Sequence, residues 1–383
     1  MSDLFRSAIS ARLAKLPPDI QGHAGEDEED EESADSIGAL PGSGMGPPAM
    51  QVEESRPSSS ARKRKKKDPN AEFAPLSASG FFNEAVQVKV PSRSLDVRVY
   101  YTPPKFTDAT VMVCHHGAGY SGSSFACFAK EVTDQTNGEC GVLALDARRH
   151  GKTTSTADDS DLSINVLVED FFELVQAIFP DPVTAPTLLL IGHSMGGSVT
   201  VQSCPRLLER GYKITGVAVL DVVEGSAIEA LPHMHSLLNA RPEGFDSMEE
   251  AIEWHVTTNT IRNPTSARIS IPSIIEHNDS AVYPYQWRTP LRSTAPYWQN
   301  WFTGLSEKFL AARAARLLVL AGTDRLDKEL MIGQMQGKFQ LVVVPGTGHM
   351  IQEDDPKKLA EILVEFWLRN ERVVVGIKKV GEK

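Results

Sequence analysis

Residues 187–197 read TLLLIGHSMGG, and this stretch decides how the chain folds. Leu188 to Ile191 is an unbroken apolar run, as suits a strand covered on both faces. Gly192-His193-Ser194-Met195-Gly196 follows as G-x-S-x-G, and a helical stretch over 195–210 comes directly after it. Strand, tight turn and helix in that order place a serine hydroxyl at the C-terminal edge of a parallel sheet. Glycines flank the serine because a side chain there would strike neighbouring backbone. The helix start favours negative charge developing beside it. Ser194 is the expected nucleophile.

Working outward, short β-rich runs alternate with helical ones from about residue 73 onward. Strands are predicted at 84–90, 95–101, 110–116, 141–147, 187–193, 214–221, 316–324 and 339–346, and helices at 123–136, 161–179, 195–210 and 356–370. This alternation predicts an α/β fold with a mostly parallel central sheet flanked by helices. About 90 residues separate the sixth strand from the seventh, too many for a simple crossover. They are expected to form a helical cap inserted at about 222–312. Trp254, Trp287, Trp298 and Trp301 fall in it, with Tyr283, Tyr285 and Tyr297. Such rings either pack the cap onto the sheet or line a groove for a peptide substrate.

A serine hydroxyl needs a base to attack at neutral pH. In this arrangement the base comes last in the chain. The last predicted strand delivers His349 on a Gly-flanked loop. His193 is expected to point away from Ser194, and His150 to sit in a loop. The acid should lie between Ser194 and His349 in the chain, at a strand end. Asp221, after the sixth strand, and Asp324, after the seventh, both qualify, and the fold alone favours Asp324. The oxyanion hole needs two backbone N–H groups. Met195 is the expected first donor, and Ala118, in the loop His116-Gly117-Ala118-Gly119, the second. No zinc-ligand spacing and no nucleotide-binding glycine pattern is present, so neither a metal nor a cofactor is expected. Serine, base, acid and oxyanion hole suffice for hydrolysis.

The 383 residues carry a formal net charge of −11, which excludes a chain-wide basic footprint for nucleic acid. No run approaches the length of a membrane span. The four cysteines, Cys114, Cys127, Cys140 and Cys204, are too few for a disulfide scaffold and read as reduced thiols. The N-terminus has no secretory h-region. Residues 1–72 read as a largely disordered segment, with acidic residues from Glu26 to Glu32 and basic ones from Arg62 to Lys67. The basic run is either a nuclear-import signal or a solvated tail. Cytoplasmic or nuclear location is expected, and 73–383 is the expected catalytic domain.

The stretch from GHSMGGS to DVVEGSA resembles the protein phosphatase methylesterases, a branch of the α/β-hydrolases. So do AIEW, PYQWR, YWQNWFTGLSEKFL, IRNPTSAR (261–268), IGQMQGKFQ and GHMIQEDDP. The resemblance covers roughly residues 80–370. It implies Ser194 as nucleophile, His349 as base and the Asp of DVVEG, Asp221, as acid, which reverses the preference drawn from the fold. It also implies a substrate: the C-terminal leucine methyl ester of the type 2A protein phosphatase catalytic subunit. The residues alone also allow a small-molecule esterase or lipase, or a binding protein that sequesters the phosphatase.

Overall fold

A computed structural model describes residues 68–322 and 326–374. The acidic and basic runs before Asp68, and Asp324, lie outside the described residues. Eight strands make the main path of one sheet. They are β1 (Glu84–Val90), β2 (Leu95–Thr102), β3 (Thr110–His115), β4 (Gly141–Leu145), β5 (Thr187–His193), β6 (Ile214–Leu220), β7 (Ala315–Leu320) and β8 (Gln340–Val343). Their spatial order is β1-β2-β4-β3-β5-β6-β7-β8. β1 and β2 are antiparallel, as are β2 and β4. Every neighbouring pair from β4 to β8 is parallel. A short strand, Thr154–Ser155, also pairs with β2 and carries no apolar run by which to read it.

The central strands explain their own composition. Leu188 and Leu190 of β5 enter one core with Val111, Val113, Val217 and Val219. Leu189 and Ile191 enter another with Met112, Cys114, Ala218 and Leu220. Side chains of a strand alternate between faces, so a strand buried on both must be apolar throughout. The helices α1 (Ala126–Gln135), α2 (Ile164–Ile178), α3 (Met195–Arg210) and α11 (Pro356–Val374) cover the two faces. In α2 the buried Leu167, Phe171, Leu174 and Val175 recur at helical spacing. Truncating any one of these core leucines to alanine costs about 2–5 kcal/mol. Helix α3 ends on Gly211, whose φ of 102° is the left-handed cap glycine provides readily.

The sheet order sets the site. β3 has β4 on one side and β5 on the other, so connections leave in opposite directions there. The crevice at such a switch point lies between the loops after the two strands. Those are the loop from His116 and the turn at Ser194.

Between β6 and β7 lie α4 (Glu224–Asn239), α5 (Met248–Thr257), α6 (Pro264–Ile274), α7 (Trp298–Phe302) and α8 (Leu305–Ala311). A two-stranded ribbon pairs Ile275–His277 with Tyr285–Trp287. Ser247 caps α5 by accepting the Glu250 N–H, and Asn263 caps α6 by accepting those of Thr265 and Ser266. Phe245, Ile252, Ile261, Ile271 and Ile274 pack with Phe73, Tyr120 and Met350 in a third, smaller core. Beyond β7, α9 (Lys328–Met335) is capped by Asp327, and α10 (Ile351–Asp354) follows the histidine loop. Among the described residues no helix is long and apolar enough to cross a membrane.

Candidate active site

Ser194 sits at φ 51° and ψ −119°, between β5 and α3. A non-glycine residue held there costs about 1–3 kcal/mol. The Ser194 N–H donates to Leu220 O at 3.0 Å, and its carbonyl accepts the Gly197 N–H at 2.8 Å. The turn allows no side chain on its flanks. A Cβ at Gly192 would lie 2.2 Å from Gly196 O, and one at Gly196 would lie 2.3 Å from His115 O.

Asp221, directly after β6, also has a positive φ, of 51°. Its N–H donates to Val319 O at 2.8 Å, and its Oδ1 accepts the Ala321 N–H at 2.8 Å. Its Oδ2 faces His349 Nδ1 at 2.8 Å. A carboxylate accepts, so Nδ1 carries the proton and Nε2 is left as the base. Burial pushes the Asp221 carboxyl up, but the hydrogen bond and charge of His349 outweigh it and hold the carboxyl below its ordinary value. Among the described residues no hydrogen bond joins Ser194 to His349. Such bonds are often long without substrate and tighten on binding.

His193 turns toward His349. Its Nε2 donates to the His349 carbonyl at 2.8 Å, and the two rings lie 4.5 Å apart. Burial, helped by the neighbouring His349, pushes its pKa down to about 3, so the ring is neutral.

Two further histidines shape the loop after β3. His150 Nε2 accepts the Gly119 N–H at 3.0 Å while its Nδ1 donates to Arg148 O at 2.7 Å. His116 Nε2 accepts the Ala147 N–H at 2.9 Å, and its Nδ1 donates to Gly117 O at 2.7 Å. Burial keeps both neutral, which this pattern requires. The Gly119 amide is thereby occupied. The Ala118 N–H has no hydrogen-bond partner among the described residues. Met195 opens α3, so its N–H has no carbonyl one turn back within the helix. A Cβ on Gly117 would lie 3.2 Å from Ser194 Cβ, so the loop runs close beside the turn.

A cavity of about 140 Å³ meets Ser194, His349, Ala118 and Met195. Val223, Leu231, Met234, Trp298, Trp301 and Phe302 give it an apolar wall. Trp298 and Trp301 stand on that wall and also pack into the core beneath it. Their N–H groups are spent on Thr294 Oγ1 and Leu162 O, both at 2.7 Å, so they offer apolar surface only. Trp254 and Trp287 do not line this cavity, which corrects the expectation for them. They stack edge-to-face 5.8 Å apart beside Phe245 and His255, against the third core.

The alpha/beta hydrolase family matches residues 112–362. A protein phosphatase methylesterase 1 of Cryptococcus neoformans is 44% identical over 422 aligned positions, covering 100% of this chain and 96% of that protein. One of Aspergillus oryzae is 42% identical over 97% of this chain and 91% of its own length. The chain belongs to the protein phosphatase methylesterase family. Solved structures show the fold at greater distance. An E-2-(acetamidomethylene)succinate hydrolase aligns with a TM-score of 0.60 at 17% identity, covering 74% of this chain and 98% of that one. A marine microorganism esterase aligns at 0.54 and 20% identity, covering 71% and 100%. Family and fold make the chain a carboxylic ester hydrolase.

Two stretches that carry the methylesterase resemblance have visible work. In IRNPTSAR, Arg262 donates to Gly346 O at 2.5 Å and Ser266 Oγ to Glu353 O at 2.9 Å. The motif therefore grips the chain on both sides of His349. In DVVEGSA, Glu224 accepts the Gly304 and Ser306 N–H groups at 2.7 and 3.0 Å, tying the segment after Asp221 to the cap. These roles have no sequence signature, because every partner is backbone some 80 residues away.

Proposed function

We propose that this chain removes the methyl ester from the C-terminal leucine of the type 2A protein phosphatase catalytic subunit. The observation that carries the reading is the Asp221–His349 pair facing one apolar cavity together with Ser194. The methylesterase names of its relatives supply the substrate class.

In this reading Ser194 Oγ attacks the ester carbonyl while His349 Nε2 takes its proton. The Asp221 carboxylate holds the imidazole tautomer and stabilises the imidazolium. The Met195 and Ala118 N–H groups receive the oxyanion. His349 then gives its proton to the departing methoxide, and methanol leaves. Water, deprotonated by His349, attacks the acyl-serine and frees a carboxylate. Trp298, Trp301 and Phe302 supply apolar surface for the leucine side chain.

Competition between substrates tests it. A phosphatase-tail peptide carrying a leucine methyl ester should be cleaved with kcat/KM well above that for a free short-chain ester. Turnover of the free ester alone would make the chain a small-molecule esterase. Binding of the phosphatase without ester loss would make it a sequestering protein.

A further inference from the structure

Arg241 stands at the cavity that meets Ser194, on a wall otherwise mostly apolar. Its guanidinium stacks on the Trp287 ring at 4.4 Å. The Trp287 N–H donates to Pro242 O at 2.8 Å, and Phe245 meets the indole at 5.5 Å, so the ring is a fixed shelf. Tyr120, at the end of the loop that carries Ala118, lies beside the guanidinium. The Arg241 Nε is buried and has no hydrogen-bond partner. Among the described residues Arg241 makes no ion pair. Asp221, the cavity's carboxylate, is already engaged by His349.

Arg241 is half-buried, so its guanidinium has lost part of its water without gaining a counter-ion. A guanidinium at the cavity wall with no ion-pair partner is a planar donor that suits a carboxylate. We propose that Arg241 is a carboxylate-binding residue of the substrate cavity. The proposal rests on the functional reading above. The ester itself is neutral, so the carboxylate has one of two sources. It is an acidic side chain on the peptide close to the ester, or it is the carboxylate that hydrolysis frees.

The test uses the full chain, as wild type, Arg241→Gln and Arg241→Lys. Its substrates are two short peptide leucine methyl esters that differ only in one aspartate or asparagine near the terminus. The free-acid peptides serve as inhibitors of p-nitrophenyl acetate hydrolysis. If a side chain is the source, wild type prefers the aspartate ester, and Arg241→Gln cuts that preference about tenfold or more. If the product is the source, Arg241→Gln raises the inhibition constant of both free acids by a similar factor. Either effect should be partly restored by Arg241→Lys and weakened by salt. A merely structural arginine would move both esters alike. An unchanged preference with unchanged inhibition constants would therefore overturn the proposal. Should Arg241→Gln not fold, wild type still decides: equal rates for the two esters and no inhibition by free acid would overturn it. Wild type that hydrolyses p-nitrophenyl acetate but neither peptide ester would instead overturn the reading of function, and this proposal with it.

Discussion

The side chain of His193 holds the backbone of His349, through a 2.8 Å hydrogen bond from Nε2 to the carbonyl. The residue just before the expected nucleophile thus fixes the loop that bears the expected base. Replacing His193 with phenylalanine keeps a ring there but removes the donor. A displacement of about 1 Å at a reacting group costs on the order of a hundredfold in rate. We expect kcat on a small ester to fall at least about tenfold in His193→Phe, with KM little changed. An unaltered kcat would show that the bond positions nothing.

Asp221 and His349 make the next comparison. Asp221→Asn keeps the volume but turns an acceptor into a donor facing Nδ1. The imidazole then takes the wrong tautomer, a loss of roughly ten-thousandfold in a comparable serine hydrolase. Asp324→Asn, measured alongside by ester turnover, should remain largely active. The reverse order would restore the preference that the fold alone suggests.

Gly196 meets the backbone of the preceding strand end. A methyl group there would lie 2.3 Å from His115 O and 2.6 Å from His116 O. Gly196→Ala must move that backbone, and overpacking of this kind costs about 1–3 kcal/mol. A melting temperature several degrees lower, with esterase activity lost, is the expected outcome by calorimetry and assay.

Stability should depend on pH in two opposed ways. Burial pushes His115 and His150 down to about 4, and His193 and His255 down to about 3. The unfolded chain takes up those protons near pH 6.5 and the native chain does not, so stability falls as pH drops from about 6.5 toward 4. Burial pushes the Glu353 carboxyl up, to about 8. The native chain there keeps a proton that the unfolded one has lost, so this contribution declines as pH rises from about 4.5 to 8. Thermal melts should show Glu353→Gln gaining on wild type as pH rises through that window. Parallel curves for the two would contradict the assignment of a protonated Glu353.

Much of this was legible in the sequence, for physical reasons. β5 is an apolar run because both faces are covered, and α3 follows it with no residue between the turn and the helix. Periodicity and glycine placement reveal both. The acid was not legible from the fold alone, because Asp221 and Asp324 both follow a strand. The DVVEG resemblance points to Asp221, and the side-chain bond from His349 reaches that residue, while Asp324 lies outside the described residues. Trp254 and Trp287 misled because a tryptophan in a cap looks the same in sequence whether it faces a cavity or a small core. Arg241 gave no signal, since its shelf is a ring 46 residues away, and the backbone partners of Arg262 and His150 could not be read from the sequence.

The most direct test follows the C-terminal methyl ester of methylated type 2A phosphatase catalytic subunit, with wild type and Ser194→Ala side by side. The account predicts loss of the ester with wild type, slowed by roughly four orders of magnitude or more in Ser194→Ala. Near-equal rates for the two, or an ester that survives wild type while free short-chain esters are cleaved, would contradict it.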